Sequence, residues 1–289
     1  MISRRHTLQA AGTVAAAAAV GSVLSGCALL PREAVVPLPM LRLPGPCTPA
    51  RATVLLVMLP GAYSLPAEFV DEGFLKALRE RGVSADVLIV DSHLGYFNNG
   101  TILQRLRLDV VGPAREAGYR QIWLVGISLG GFGSLAYAAV HGNDRGFGVD
   151  GVVALAPYLG GHSLLAEITA AGGPRAWAAG QPPVVGDRVP SMKEAGAADE
   201  ATREVWRWVV AHEAQAEHAG VRTLPLYLGF GAEDRLAEGH RLLAAVLPPA
   251  RVFRTPGGHD WPPWRALWQQ WLALRLLPMG AAGCAASAR

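Results

Sequence analysis

The sequence predicts one α/β domain: a mostly parallel β-sheet with helices on both faces and an inserted cap. Two observations carry that reading. Between residues 52 and 277, short apolar runs alternate with helical stretches, as in strands buried on both faces and joined by helical crossovers. Between Ala156 and Leu224, about 65 residues contain no apolar strand run. A structureless loop of that length does not suit a compact domain, so an inserted cap over the carboxyl ends of the strands is expected at about residues 158–222.

The chain begins Met1-Ile-Ser-Arg-Arg-His, followed by an Ala/Val/Gly-rich run and Leu24-Ser25-Gly26-Cys27. A basic start, a short apolar stretch and small residues before a cut point make residues 1–26 an export signal. The apolar run is short for a membrane span. Leu24-Ser25-Gly26-Cys27 resembles the bacterial lipobox, which implies lipidation at Cys27. Ser3-Arg4-Arg5 with Leu8 resembles a twin-arginine signal, although Thr7 departs from it and the general export route fits nearly as well. The resemblance implies a lipid-anchored protein facing the periplasm. Ala28 after the cysteine favours the outer membrane in a Gram-negative host.

Residues 27–51 contain Pro31, Pro37, Pro39, Pro44, Pro46 and Pro49. Proline fixes φ and lacks a donor, so this stretch reads as an extended tether. The alternation then begins. Strands are expected at Thr53–Leu59, Asp86–Val90, Gln121–Ile127, Val149–Ala156, Leu224–Phe230 and Arg251–Arg254. Helices are expected at Pro66–Arg81, in a region broken near Pro113, at Leu129–His141, Arg203–His218, Leu236–Leu247 and Pro263–Leu277. Residues 278–289 read as a tail.

Composition narrows the function. Cleavage before Cys27 removes Arg4 and Arg5 from a chain of net charge +3. The nearly neutral remainder gives no electrostatic case for nucleic acid. No Cys/His cluster suggests a metal, and no cofactor is implied. Lipidation of Cys27 would leave Cys47 and Cys284, either as a disulfide or as two free thiols.

One motif carries chemistry. Gly126-Ile127-Ser128-Leu129-Gly130 sits between an apolar run and a helix. It matches a G-x-S-x-G turn, in which glycines relieve the clashes of a sharp bend that raises the serine above the sheet. The helix N-terminus and the Leu129 N–H then point at a developing oxyanion. A serine needs a base. Of eight histidines, His259 lies in Pro256-Gly257-Gly258-His259-Asp260-Trp261, directly after the last strand. His240 is its rival but falls inside a helix, and His162, His212 and His218 read as surface groups of the cap. Glu233-Asp234 follows the fifth strand and offers the acid that orients the base, Asp234 ahead of Glu233. Asp260 adjoins the histidine and is expected to point away. Pro60-Gly61-Ala62-Tyr63 follows the first strand and offers a second backbone donor, Ala62 ahead of Tyr63.

The serine turn, the acid turn and the Gly-Gly-His loop, in that order along the chain, resemble the α/β-hydrolase superfamily, and the resemblance spans nearly all of residues 52–277. It implies a serine hydrolase, an esterase foremost, with Ser128, His259 and Asp234 as triad and Leu129 and Ala62 as oxyanion donors. Acyl transfer, or cleavage of a thioester or amide, would use the same residues. A non-catalytic, lipid-anchored binding protein on the same scaffold is the remaining reading. Trp261, Trp264, Trp268 and Trp271 have helical spacing and read as core. Trp261 alternatively lines an acyl pocket, and Trp177, Trp206 and Trp208 alternatively face substrate from the cap.

Overall fold

A computed structural model describes residues 32–45, 52–181, 197–217 and 223–280. Cys27, Cys47, Cys284 and His218 lie outside the described residues, with the whole of residues 1–26.

Seven strands form one sheet: β1 (Met40–Leu43), β2 (Val54–Leu59), β3 (Asp86–Val90), β4 (Gln121–Ile127), β5 (Gly151–Leu155), β6 (Leu226–Gly231) and β7 (Val252–Thr255). Their order is β1-β3-β2-β4-β5-β6-β7. β1 pairs antiparallel with β3, and every other pair is parallel. The six strands expected from apolar runs are all present, within one or two residues at most ends. Side-chain alternation feeds two cores. Leu55, Val57 and Leu59 face one, and Val54, Leu56 and Met58 face the other.

The second core is covered by α1 (Pro66–Asp71), α2 (Phe74–Glu80) and α11 (Trp261–Leu272). The first lies under α3 (Leu94–Asn98), α4 (Ile102–Arg105), α5 (Gly112–Glu116), α6 (Leu129–His141), α7 (His162–Ala170), α8 (Pro174–Ala179), α9 (Ala197–Ala216) and α10 (Ala237–Ala244).

Five expectations need correction, four of them in the backbone. The proline-rich segment is not a free tether over residues 32–45. Arg32 makes two 2.7 Å bonds to the Asp91 carboxylate, Leu38 N–H donates to Asp109 (2.8 Å), and Met40–Leu43 is an edge strand. Pro39 and Pro44 flank that strand, where a missing N–H costs no ladder bond. The expected helix at Pro66–Arg81 is two, because Gly73 adopts φ +81° between them. Pro113 does not break its helix. A π-turn at Leu106–Val111 precedes it, with Gly112 N–H bonded to Arg107 O, and the wide turn admits a residue without a donor. The last helix stops at Leu272. Beyond it Leu277 is buried, Ser84 N–H donates to Pro278 O (2.8 Å), and Gly280 N–H donates to Gly82 O (2.7 Å).

The described residues of the insertion after β5 form α7, α8 and α9. α9 packs along the first core, with Val205, Trp206 and Val209 buried. His212 is no surface group. It is buried, with its Nε2 2.7 Å from Leu224 O.

The correction at the N-terminal segment predicts a stability effect. Leu38 is 1% exposed. Leu38→Ala should cost about 2–5 kcal/mol in denaturant unfolding, as for a buried leucine. A loss within about 0.5 kcal/mol, the surface range, would return the segment to tether status.

Candidate active site

The site is assembled at the carboxyl ends of the strands, where parallel α/β sheets leave a crevice. Ser128 follows β4, and its φ of +54° is a strained conformation for a residue with a Cβ. Close packing imposes it. A Cβ on Gly126 would lie 2.2 Å from Gly130 O, and one on Gly130 would lie 2.2 Å from Leu59 O. The turn closes only because both positions are glycine. Its backbone is fixed from several sides: Ser128 N–H donates to Leu155 O (2.9 Å), and Ser128 O accepts from Tyr158 (3.0 Å) and Phe132 (3.1 Å).

His259 Nε2 lies 2.9 Å from Ser128 Oγ. Its Nδ1 lies 2.8 and 3.0 Å from the two Asp234 oxygens. An ionised carboxylate only accepts, so Nδ1 carries the proton. Nε2 of the neutral ring is then free to accept from the serine hydroxyl. The Asp234 side chain has no solvent exposure and that of His259 has 10%. Burial pushes the Asp234 pKa up. Hydrogen bonds from His259 and Leu236 N–H, with the nearby histidine charge, outweigh burial, and the net pKa lies below the usual aspartate value.

The other candidates are placed as follows. Asp260 caps α11, accepts from Trp261 N–H (2.8 Å) and is exposed. Glu233 accepts from Gly257 N–H rather than bonding the imidazole. His240 is fully buried in α10, its Nε2 2.9 Å from Pro157 O. Leu129 opens α6, so its N–H is among the first-turn donors without an intrahelical acceptor. A Cβ on Gly61 would lie 3.4 Å from Ser128 Cβ, so the Gly61-Ala62-Tyr63 turn borders the serine. Ala62 is half-buried and Tyr63 is exposed.

Most of these tryptophans are interior, and Trp208 and Trp261 are half-buried. Trp264, Trp268 and Trp271 are buried. Trp264, not Trp261, meets the imidazole edge-on at 5.1 Å. Trp261 packs against Phe69, Phe74 and Trp264. Trp177 and Trp206 are buried and donate to Glu167 (2.8 Å) and Leu159 O (2.9 Å). Trp208 stacks on His212. Among the described residues no His/Cys/Asp/Glu group could hold a metal ion.

The chain has the α/β-hydrolase fold. It aligns with the substrate-bound fluorophosphonate-binding serine hydrolase F of Staphylococcus aureus at TM-score 0.53 and 13% identity, over 76% of this chain and 82% of that one. A putative esterase from S. aureus aligns at TM-score 0.53 and 12% identity, over 85% and 82%. An S-formylglutathione hydrolase from Agrobacterium tumefaciens aligns at 0.51 and 13%, over 85% and 92%. No family model and no curated protein matches the sequence. At such identities the likeness is one of α/β-hydrolase architecture alone.

Sequence reading missed the burial of His240, because helical spacing does not say which histidine faces a core. Burial holds its pKa down to about 4, against a smaller upward pull from Asp234. Burial likewise lowers His212 and His93. A base with a depressed folded pKa takes up its proton more readily when unfolded. Its stabilising contribution is complete above the unfolded value of about 6.5 and is lost as pH falls toward the folded one. Denaturant titrations should therefore show stability falling from pH 6.5 to 4, and less steeply in His240→Gln. Parallel curves for the two proteins would show that His240 does not supply the slope.

Proposed function

We propose that this protein is a serine hydrolase that cleaves carboxylic esters through an acyl-enzyme. The continuous Asp234–His259–Ser128 hydrogen-bonded line carries the reading. Ser128 Oγ attacks the ester carbonyl carbon while His259 Nε2 takes its proton. The tetrahedral oxyanion is met by the N–H groups of Leu129 and Ala62. Collapse expels the alcohol, which takes the proton back from His259. Water repeats the sequence on the acyl-enzyme, with the same base, and releases the acid. Asp234 stays ionised, holds the Nδ1–H tautomer and stabilises the transient imidazolium. A low pKa suits that role, since a carboxylate that protonated readily would lose its hold on the ring.

A binding protein on the same scaffold would have no need of three aligned groups, one of them, Asp234, withdrawn from solvent. The test is reaction with a fluorophosphonate and with a series of acyl esters of graded chain length. Ser128→Ala should abolish labelling and lower hydrolysis by at least ~10³-fold, since triad members act as a unit. Asp234→Asn should cost far more activity than Asp260→Asn. Labelling that persists in folded Ser128→Ala, or equal losses at the two aspartates, would reject the assignment.

We also propose that the protein is exported and held on a bacterial membrane by lipid on Cys27. Leu24-Ser25-Gly26-Cys27 supports this. A single acyl chain holds a protein only marginally, so the anchor needs the diacylglyceryl group that a lipobox implies. No helix among the described residues is long and apolar enough to cross a membrane. On fractionation, Cys27→Ala should move from the membrane to the soluble fraction. Unchanged membrane retention would point instead to an uncleaved helix from Ala10 to Leu24.

A further inference from the structure

We infer that Glu233 is a positioning residue for the base: its carboxylate fixes the glycine loop that carries His259. The inference rests on the serine-hydrolase reading above and deepens it. His259 follows Thr255-Pro256-Gly257-Gly258. Two consecutive glycines have no side chains with which to hold the loop, and Gly257 takes φ +107°. Glycine loses more freedom on ordering than any other residue, so contacts from outside must hold the loop.

The acid turn provides them, and Glu233 is at their centre. Glu233 N–H donates to Gly257 O at 3.2 Å. The Glu233 carboxylate in turn accepts from Gly257 N–H. One residue thus grips both backbone groups of Gly257, two positions before the base. Ala232 N–H donates to Thr255 O (2.8 Å) on the same seam. A Cβ on Gly231 would lie 2.1 Å from Gly257 O, so the two turns meet backbone to backbone. Glu233 precedes Asp234 directly. A single turn therefore holds the imidazole at Nδ1 through Asp234 and holds its loop through Glu233.

The two carboxylates have separable signatures. Asp234 must carry charge to stabilise an imidazolium. Glu233 needs only an acceptor oxygen in reach of Gly257 N–H, which a glutamine amide also offers. Glu233→Ala should then lower kcat by roughly ten- to a hundredfold, the cost of a base displaced by up to about 1 Å, with KM little changed. The rate of fluorophosphonate labelling should fall in step. Glu233→Gln should recover most of the loss, and Glu233→Asp, one methylene shorter, should not. The melting temperature of each variant, measured alongside, shows that the protein is folded.

Wild-type kcat and labelling rate in a folded Glu233→Ala protein would overturn the inference. So would equal losses in Glu233→Gln and Glu233→Ala, which would mean that the charge, not the acceptor, matters and that Glu233 competes with Asp234 as the acid. A rise in KM at constant kcat would place Glu233 on the substrate side instead and would equally overturn it. Failure of the wild-type protein to label would strike the hydrolase reading itself, a result distinct from all of these.

Discussion

The distance between β2 and the start of α6 governs the site. Gly130 stands where any side chain would strike the carbonyl of Leu59, and Gly126 stands where one would strike Gly130 itself. With those two Cβ atoms absent, the helix seats directly on the strand ends, and the one residue left to absorb the bend is Ser128. A φ of +54° there costs about 1–3 kcal/mol. Such a conformation persists only when its surroundings over-determine it. The bonds to Leu155, Tyr158 and Phe132 do so: β5, beside β4 in the sheet, supplies the first, the segment after it the second and α6 the third. The serine's position thus follows from hard-sphere contact and main-chain bonding, with little contribution from its own side chain.

The base and acid are held by different means. Asp234 is withdrawn from water, which alone would favour its neutral form. The imidazole N–H and the Leu236 amide reverse that preference. A carboxylate in such surroundings binds its partners more strongly than one in water, because the local dielectric is low. His240, the other buried imidazole near Asp234, stays neutral at ordinary pH and spends its Nε2 on Pro157 O. It therefore does not compete as a cation for the carboxylate. It braces the segment after β5, the same segment whose Tyr158 amide donates to Ser128 O.

What was legible in the sequence follows from these causes. Strands buried on both faces must be apolar throughout, so β2 to β6 announce themselves. The serine, acid and base each follow a strand in a glycine-bearing turn, and their separations are written in the chain. The edge strand β1 was not legible. Its exposed face, its four-residue length and the prolines beside it imitate a linker, and only pairing with β3 shows otherwise. The π-turn before Pro113 was hidden because proline signals a break and no local residue signals its repair. His212 and His240 read as polar, and their carbonyl partners lie 12 and 83 residues away. The tryptophan stripe read correctly as core, but which ring meets His259 depends on how α11 is rotated, and Trp264 does so.

Steric exclusion and main-chain bonds fix Ser128, and neither draws on a titratable side chain. Hydrogen bonds fix His259, through Asp234 on its ring and through Glu233 on its loop. The Asp234 bond draws on an ionised carboxylate, and the Glu233 bond only on an acceptor oxygen. The serine is thus set by contact and main-chain bonding, while the imidazole is held only where its acid turn is intact. In the proposed mechanism the base must accept a proton, carry a charge and return it within each half-reaction, and the serine need only be presented. The one restraint that draws on charge, Asp234, therefore falls on the group whose protonation state changes in the proposed mechanism.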